Sequence, residues 1–316
     1  MGIQSFFTYL SSKHPGLLHR VPMKSYSPFV SRGGSRVAGR NAYVDATLFL
    51  TKFSYCHNAS VESAMDKFNM LSCALSRLTG KKASFVLDTR SSSEKLRYTS
   101  IAREEAKKKR LEERPRAAAM FEGDWRRTYQ EQFKIKGLDL IISPIGFEAE
   151  EVCAKLARET NGFVVSEDSD SLVFGAPAML RGVWSRDDPY LIDLNQVLKT
   201  LEISKDQLID IGILAGCDFA SKIPGVGIHT AVDAIKTHGC IEAYLQFRAS
   251  TDPTWKFFHF ASESFDYVRG RENFNRELDT STLIGSKFQR EVFLLRLLAD
   301  PGVDERLRGK PIDEGF

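Results

Sequence analysis

The chain has 316 residues, 42% of them hydrophobic, enough to bury a full core in one or two domains. No run of 18 apolar residues occurs, so the sequence predicts no membrane-spanning helix. The net charge of +3 decides nothing by itself, and five scattered cysteines without a C-x-x-C pair argue against zinc and for reduced thiols in an intracellular protein.

Taken in chain order, residues 1–44 contain no acid but carry Lys13, Arg20, Lys24, Arg32, Arg36 and Arg40. An acid-free, Ser/Arg-rich start resembles a mitochondrial transit peptide. Against that, Ile3, Phe6, Phe7 and Leu10 repeat at helical spacing, which favours a folded N-terminus. Short apolar runs then alternate with amphipathic segments, the pattern of an α/β domain with a mainly parallel central sheet flanked by helices. Strands are predicted at Ala42–Val44, Ser84–Leu87, Leu138–Ile142, Gly162–Val165 and Met179–Val183. Between the first two, Val61, Met65, Phe68, Leu71, Leu75 and Leu78 mark a helix that Gly80 ends. Segment 94–136 reads as helical and polar all round, broken by Pro115 and Gly123, and is expected to project from the body. Its first part, Glu94 to Arg116, holds nine Lys/Arg against five Glu, which suits a polyanionic partner. Helices are expected at Lys205–Leu214, His229–Thr237, Ile241–Phe247 and Ser286–Ala299.

The chemistry is carried by acids. Three predicted strands run straight into Asp45, Asp88 and Asp168, and ligands of open α/β sheets bind beyond the carboxyl ends of the strands. A lone aspartate there is often only a helix cap, but three together converge on one surface. Glu148 and Glu150 open a further helix, and Ser166-Glu167-Asp168-Ser169-Asp170 packs three acids into five residues. Clustered carboxylates repel unless a cation offsets them, and hard oxygen ligands fit Mg²⁺ or Mn²⁺. With Asp218, the seven candidates Asp45, Asp88, Glu148, Glu150, Asp168, Asp170 and Asp218 suggest a pair of ions able to hydrolyse a phosphodiester. The six histidines are scattered and none neighbours a plausible nucleophile.

Several blocks together resemble the flap endonucleases of the XPG-type 5′-nuclease superfamily. They are Met1-Gly2-Ile3, V-D-A at Asp45, V-L-D at Asp88, F-E-A-E-E-V-C-A at Glu148 and Glu150, S-E-D-S-D-S-L-V-F-G at Asp168 and Asp170, I-L-A-G-C-D-F at Asp218, and I-P-G-V-G-I-H-T-A at Gly225 and Gly227. Their order and approximate spacing agree from residue 1 to about residue 247. The resemblance implies a PIN-like 5′-nuclease core. Residues 1–93 and 137–220 would form the nuclease parts, 94–136 a basic helical arch, 205–247 a helix–two-turn–helix module and 248–316 C-terminal helices. It also implies two magnesium ions, with Asp88, Glu148 and Glu150 mainly at one, Asp168, Asp170 and Asp218 at the other, and Asp45 acting through water. Asp88, Asp170, Lys95 and Arg103 become the catalytic set. Contacts to branched or flapped DNA are implied for Gly2, Lys95, Arg103, Gly225, Gly227 and His229, with K⁺ at the hairpin.

Departures from the family pattern are also visible. Arg103 takes a basic position only if one residue is inserted, since Ala102 stands at the ungapped place. Ile228 and His229 replace the basic residues that usually follow the hairpin, which points to a weaker grip on duplex. Thr51 stands where the family stacks a tyrosine, leaving Phe49 or Phe53 as aromatic substitutes or, more simply, as core. Thr89 follows Asp88 in place of glycine, the segment from Asp88 to Glu148 is short, and about ten residues are inserted around Lys24–Arg40. No sliding-clamp motif stands near residue 316, so that partnership is left open. A monomer is expected, with a nuclear or, from the basic N-terminus, a mitochondrial address. A 5′→3′ exonuclease, a four-way-junction resolvase and a non-catalytic nucleic-acid scaffold of the same fold are the rivals.

Overall fold

The apolar runs pair into a single seven-stranded sheet. Its strands in chain order are β1 (His19–Arg20), β2 (Ala42–Asp45), β3 (Ser84–Leu87), β4 (Asp139–Ile142), β5 (Phe163–Val165), β6 (Ala178–Arg181) and β7 (Tyr190–Asp193). The computed structural model describes residues 5–23, 36–88, 119–121, 123–220, 222–252, 265–280 and 283. In space the strands run β1-β7-β6-β5-β2-β3-β4. Those from β6 to β4 are parallel, while β7 and β1 add an antiparallel edge. All five predicted strands are present. Strand β1, a polar dipeptide, and strand β7 are not among the five expected.

Residue alternation sorts the strand side chains between two cores, as period-two geometry requires. Tyr43, Val86, Ile141 and Val164 join one core, and Val44, Phe85, Leu87 and Val165 the other. The first face is covered by α1 (Phe6–Lys13) and α5 (Ala149–Thr160), the second by α2 (Ala46–Ser54), α3 (Val61–Thr79) and α4 (Trp125–Ile135). Helix α3 is capped by the Ser60 hydroxyl, which accepts from the Ser63 N–H, and ends at Gly80 with φ +77°. Further along come α6 (Asp170–Val173), α7 (Leu194–Leu201), α8 (Lys205–Ala215), α9 (Ile228–His238), α10 (Ile241–Thr251) and α11 (Tyr267–Asn275). The folded N-terminus is present: Phe6 and Leu10 of α1 are fully buried.

One expectation is corrected. The C-terminal third of segment 94–136 does not project; it is α4, packed on the sheet. Trp125, Tyr129 and Phe133 recur at every fourth position and form an apolar stripe that the surrounding charges mask in the sequence. Phe133 meets Phe68 and Phe85 at centroid distances of 5.2 and 5.3 Å. Residues 94–118, with Lys95 and Arg103, lie outside the described residues, as do Gly2, most of the 24–40 insertion and the helix expected at Ser286–Ala299.

Candidate functional site

Strands β3 and β4 extend the sheet on one side of β2, and β5 and β6 on the other. The order in which successive strands are added therefore reverses between the parallel neighbours β2 and β5, the place where open α/β sheets form a crevice at their carboxyl ends. Asp45 closes β2, Asp88 follows β3, and Asp168 lies three residues past β5. Asp45 and Asp88 share parity with Tyr43 and Val86, so they face the side covered by α5.

Each of these acids is held by backbone. Asp45 caps α2, its Oδ1 accepting from Leu48 N–H at 2.9 Å, so capping and the proposed chemistry coincide in one residue. The Asp88 carboxylate accepts from the N–H of Ala149, the first residue of α5. The N–H of Asp88 donates to Thr47 Oγ1 at 2.9 Å, and its carbonyl accepts from Arg126 Nε at 2.9 Å. Glu148 is the N-cap of α5 and Glu150 sits in its first turn, where the helix dipole favours negative charge. Asp168 Oδ1 accepts from the Asp170 N–H at 3.1 Å, folding the two aspartates together at the start of α6. Asp218 follows α8 beyond Gly216, whose φ of +106° turns the chain there.

Six of the seven acids are buried and Asp88 is half-buried. Burial, then the negative charges of Asp88, Asp168 and Glu148, push the Asp45 carboxyl well above the usual range, against the Leu48 hydrogen bond that lowers it. Buried Cys153 and half-buried Cys217 sense the same field. Cys153 on α5 is raised by burial and by Asp45, Asp88 and Glu150, while Cys217 is pushed up to about 12 by burial and by Asp170 and Asp218. Charge thus couples Asp45 to Asp88, Glu148 and Asp168, and a hydrogen bond joins Asp168 to Asp170. Among the described residues no three Asp, Glu, His or Cys side chains form a ready-made cage for one ion. The donor set nevertheless fits magnesium, because hard oxygens crowd at a buried edge and this ion binds through one or two carboxylates with water completing its shell.

Two acids in these motifs do other work. Glu167 lies 3.3 Å from Lys52 Nζ and 3.6 Å from Arg181 Nε, and it accepts from the Gly182 N–H at 3.2 Å. Glu151 is buried against Arg276, with N···O distances of 2.8 and 2.6 Å. Nothing in the sequence marked Arg276, which lies 125 residues away. Arg126 was equally hidden inside a segment read as a solvated arch. Phe49 and Phe53 stack on each other at 6.1 Å and are buried in the core, so neither offers a face to a base.

The hairpin between α8 and α9 is anchored by buried Ile223 and Val226, which leave Gly225 and Gly227 exposed. Gly225 has φ +78°, and a Cβ at either glycine would meet nothing within 4 Å, so a ligand can approach the main chain closely. His229 is exposed on the first turn of α9, its ring edge-on to Tyr9 at 5.0 Å. Tyr9, Gly227 and His229, with Ser5, Thr8 and Thr230, line an open cavity of about 460 Å³ between α1 and the start of α9.

Several known proteins are similar to this chain. The XPG I-region model matches residues 137–218, from the loop before β4 to Asp218. Flap endonuclease 1 of Saccharomyces cerevisiae is 27% identical, over 91% of this chain and 78% of its own length. Flap endonuclease 1 of Babesia bovis is 31% identical, over 79% and 39%, and flap endonuclease 1-A of Sorghum bicolor is 34% identical, over 57% and 48%. The chain spans less than half the length of the latter two relatives. Among solved structures, the catalytic core of Rad2 in complex with DNA substrate superposes with a TM-score of 0.60 at 20% identity, covering 100% of this chain and 91% of that one. Human GEN1 in complex with Holliday junction DNA gives 0.60 at 16% identity, over 99% and 81%. Flap endonuclease-1 from Methanococcus jannaschii gives 0.53 at 21% identity, over 78% and 81%. At these identities the superpositions establish a shared fold.

Proposed function

We propose that this chain is a member of the XPG family of 5′-nucleases and a magnesium-dependent structure-specific nuclease cutting DNA near the junction where a 5′ single strand leaves a duplex. The observation that carries this reading is the gathering of buried carboxylates at the switch point of the sheet, where Asp45 feels the charges of Asp88, Asp168 and Glu148. Asp88, Glu148 and Glu150 would hold one ion, Asp168, Asp170 and Asp218 a second, and Asp45 would act through water. Mn²⁺ can substitute. Magnesium bound there supplies an activated water and neutralises the leaving oxygen of an in-line phosphodiester displacement.

The protein's own groups prepare that chemistry. The N–H groups of Leu48 and Ala149 fix the carboxylates of Asp45 and Asp88, so these side chains need no reorganisation when a substrate arrives. Exposed main chain at Gly225 and Gly227 can reach duplex phosphates, and the N-terminus of α9 favours their charge, with K⁺ as a bridging ion. His229 adds a weak polar contact beside it. Such contacts position a duplex without reading its sequence. Gly2, Lys95 and Arg103 complete the DNA-binding set, the two basic residues approaching the scissile phosphate from the arch. Branched DNA as the partner is supported by the Rad2 and GEN1 structures, which hold DNA substrate and Holliday junction DNA respectively. Products would carry 5′-phosphate and 3′-hydroxyl ends, and the work would fall in nuclear DNA replication or repair.

The test is a panel of labelled substrates in Mg²⁺: a free 5′ flap, a blocked flap, a nicked duplex and a four-way junction. Preferential incision of the free flap near its base is expected. Cleavage of the four-way junction alone, or stepwise degradation of the nicked duplex alone, would overturn the flap assignment in favour of a resolvase or an exonuclease.

A further inference from the structure

The segment that ends α11 runs back along α5. Arg276 pairs with Glu151, Glu277 lies 3.4 Å from Lys155 Nζ, and the Thr280 hydroxyl donates to Glu159 at 3.3 Å. Glu151, Lys155 and Glu159 are spaced by four, so the strap follows one stripe of that helix. Leu278 is buried between these polar contacts and Leu283 is buried just past them. At the other end, Arg271 of α11 is bonded to Asp210 of α8 and Glu242 of α10. One short stretch therefore touches α8, α10 and the helix that starts in the carboxylate edge.

Arg276 grips that start from both sides. Its Nη2 donates to the Gly146 carbonyl at 2.7 Å as well as to Glu151, and its guanidinium lies 4.3 Å over the ring of Phe147. Residues 146, 147 and 151 bracket Glu148 and Glu150. A largely buried ion pair adds little stability over apolar side chains of similar size, and the best-attested use of such groups is to fix geometry. Bidentate arginine suits that task because its planar fork admits few alternative poses.

We propose that Arg276 is a positioning residue: through Gly146, Phe147 and Glu151 it sets where Glu148 and Glu150 stand for metal binding. The inference rests on the metal-dependent reading above. Its test is Mn²⁺ titration of the full chain, followed by the paramagnetic resonance of the free ion, for the parent, E151M/R276M, R276K and L201A. The methionine pair removes both charges together, so it is expected to fold with a Tm close to the parent's. Its Mn²⁺ half-saturation is expected to rise about tenfold, the scale on which groups orienting metal ligands act. R276K keeps the charge but loses the fork, and an intermediate rise is expected. L201A removes buried side chain from α7, distant in sequence from α5; it should lower Tm and leave half-saturation within about twofold of the parent. Parent-like Mn²⁺ binding by both E151M/R276M and R276K would overturn the proposal alone. A parent that bound no Mn²⁺ would overturn the metal reading and this proposal with it.

Discussion

Asp88 accepts a hydrogen bond from the backbone N–H of Ala149, which ties the acid after β3 to the helix start between Glu148 and Glu150. A carboxylate from one strand and two from a distant helix are thereby locked into one edge. Main-chain N–H groups fix the carboxylates of Asp45 and Asp88, so changes at those two side chains alter charge more than shape.

Asp45 illustrates the consequence. It is buried among like charges yet also caps α2, and asparagine caps as well as aspartate. Asp45→Asn is expected to raise the stability of the metal-free protein on the order of 1 kcal/mol, because repulsion falls while the cap survives. Cleavage should drop in the same variant. Thermal unfolding in a chelator, beside a flap assay in Mg²⁺, checks both halves.

Asp170 is the most deeply buried of the seven acids, and its N–H is bonded to Asp168. Asp170→Asn is expected to slow single-turnover cleavage by about 100-fold or more while flap affinity changes little, as befits a group acting at the reacting phosphate rather than in binding. Parent-like cleavage by this variant would remove Asp170 from the metal site.

The hairpin module depends on Arg271. Its Nε and Nη2 lie 2.6 and 2.7 Å from the buried Asp210 carboxylate, while the partly exposed Glu242 shares the same guanidinium. Arg271→Met strands a buried charge and is expected to cost about 3–5 kcal/mol. Glu242→Gln should cost under about 1 kcal/mol because solvent screens that pair. Hydrogen bonding to Arg271 holds Glu242 down to about 2. Its contribution is therefore present above the ordinary carboxylate range and is lost as pH falls toward 2. Unfolding midpoints of parent and Glu242→Gln should differ at pH 6 and merge at the acid end.

Tyr129 buries its hydroxyl with no hydrogen-bond partner among the described residues, and burial raises its pKa. Tyr129→Phe removes a polar atom from an apolar site without changing the ring, so a gain of about 1 kcal/mol is expected. A loss of stability on chemical denaturation would show that the hydroxyl has a function in this packing.

Much of this was legible in the sequence. Strand runs ending in aspartate, the glycine stop of α3 and the order of the acidic blocks each reflect a local rule with one physical cause. The misses share another cause. Helix α4 carries its apolar stripe, Trp125, Tyr129 and Phe133, between lysines, arginines and glutamates, and average polarity hid the period. Strand β1 is a polar dipeptide with no apolar run to mark it. Glu151 and Glu167 read as members of acidic clusters, and only tertiary partners, Arg276 for one and Lys52 with Arg181 for the other, show that they are neutralised by protein. Pairings across 125 residues leave no local trace.

The most direct measurement is a crystal of the protein soaked in manganese and examined by anomalous scattering. Two peaks are expected at the carboxyl edge of the sheet, one among Asp88, Glu148 and Glu150 and the other among Asp168, Asp170 and Asp218. Strong manganese sites elsewhere, with none among these oxygens, would contradict a metal-dependent nuclease.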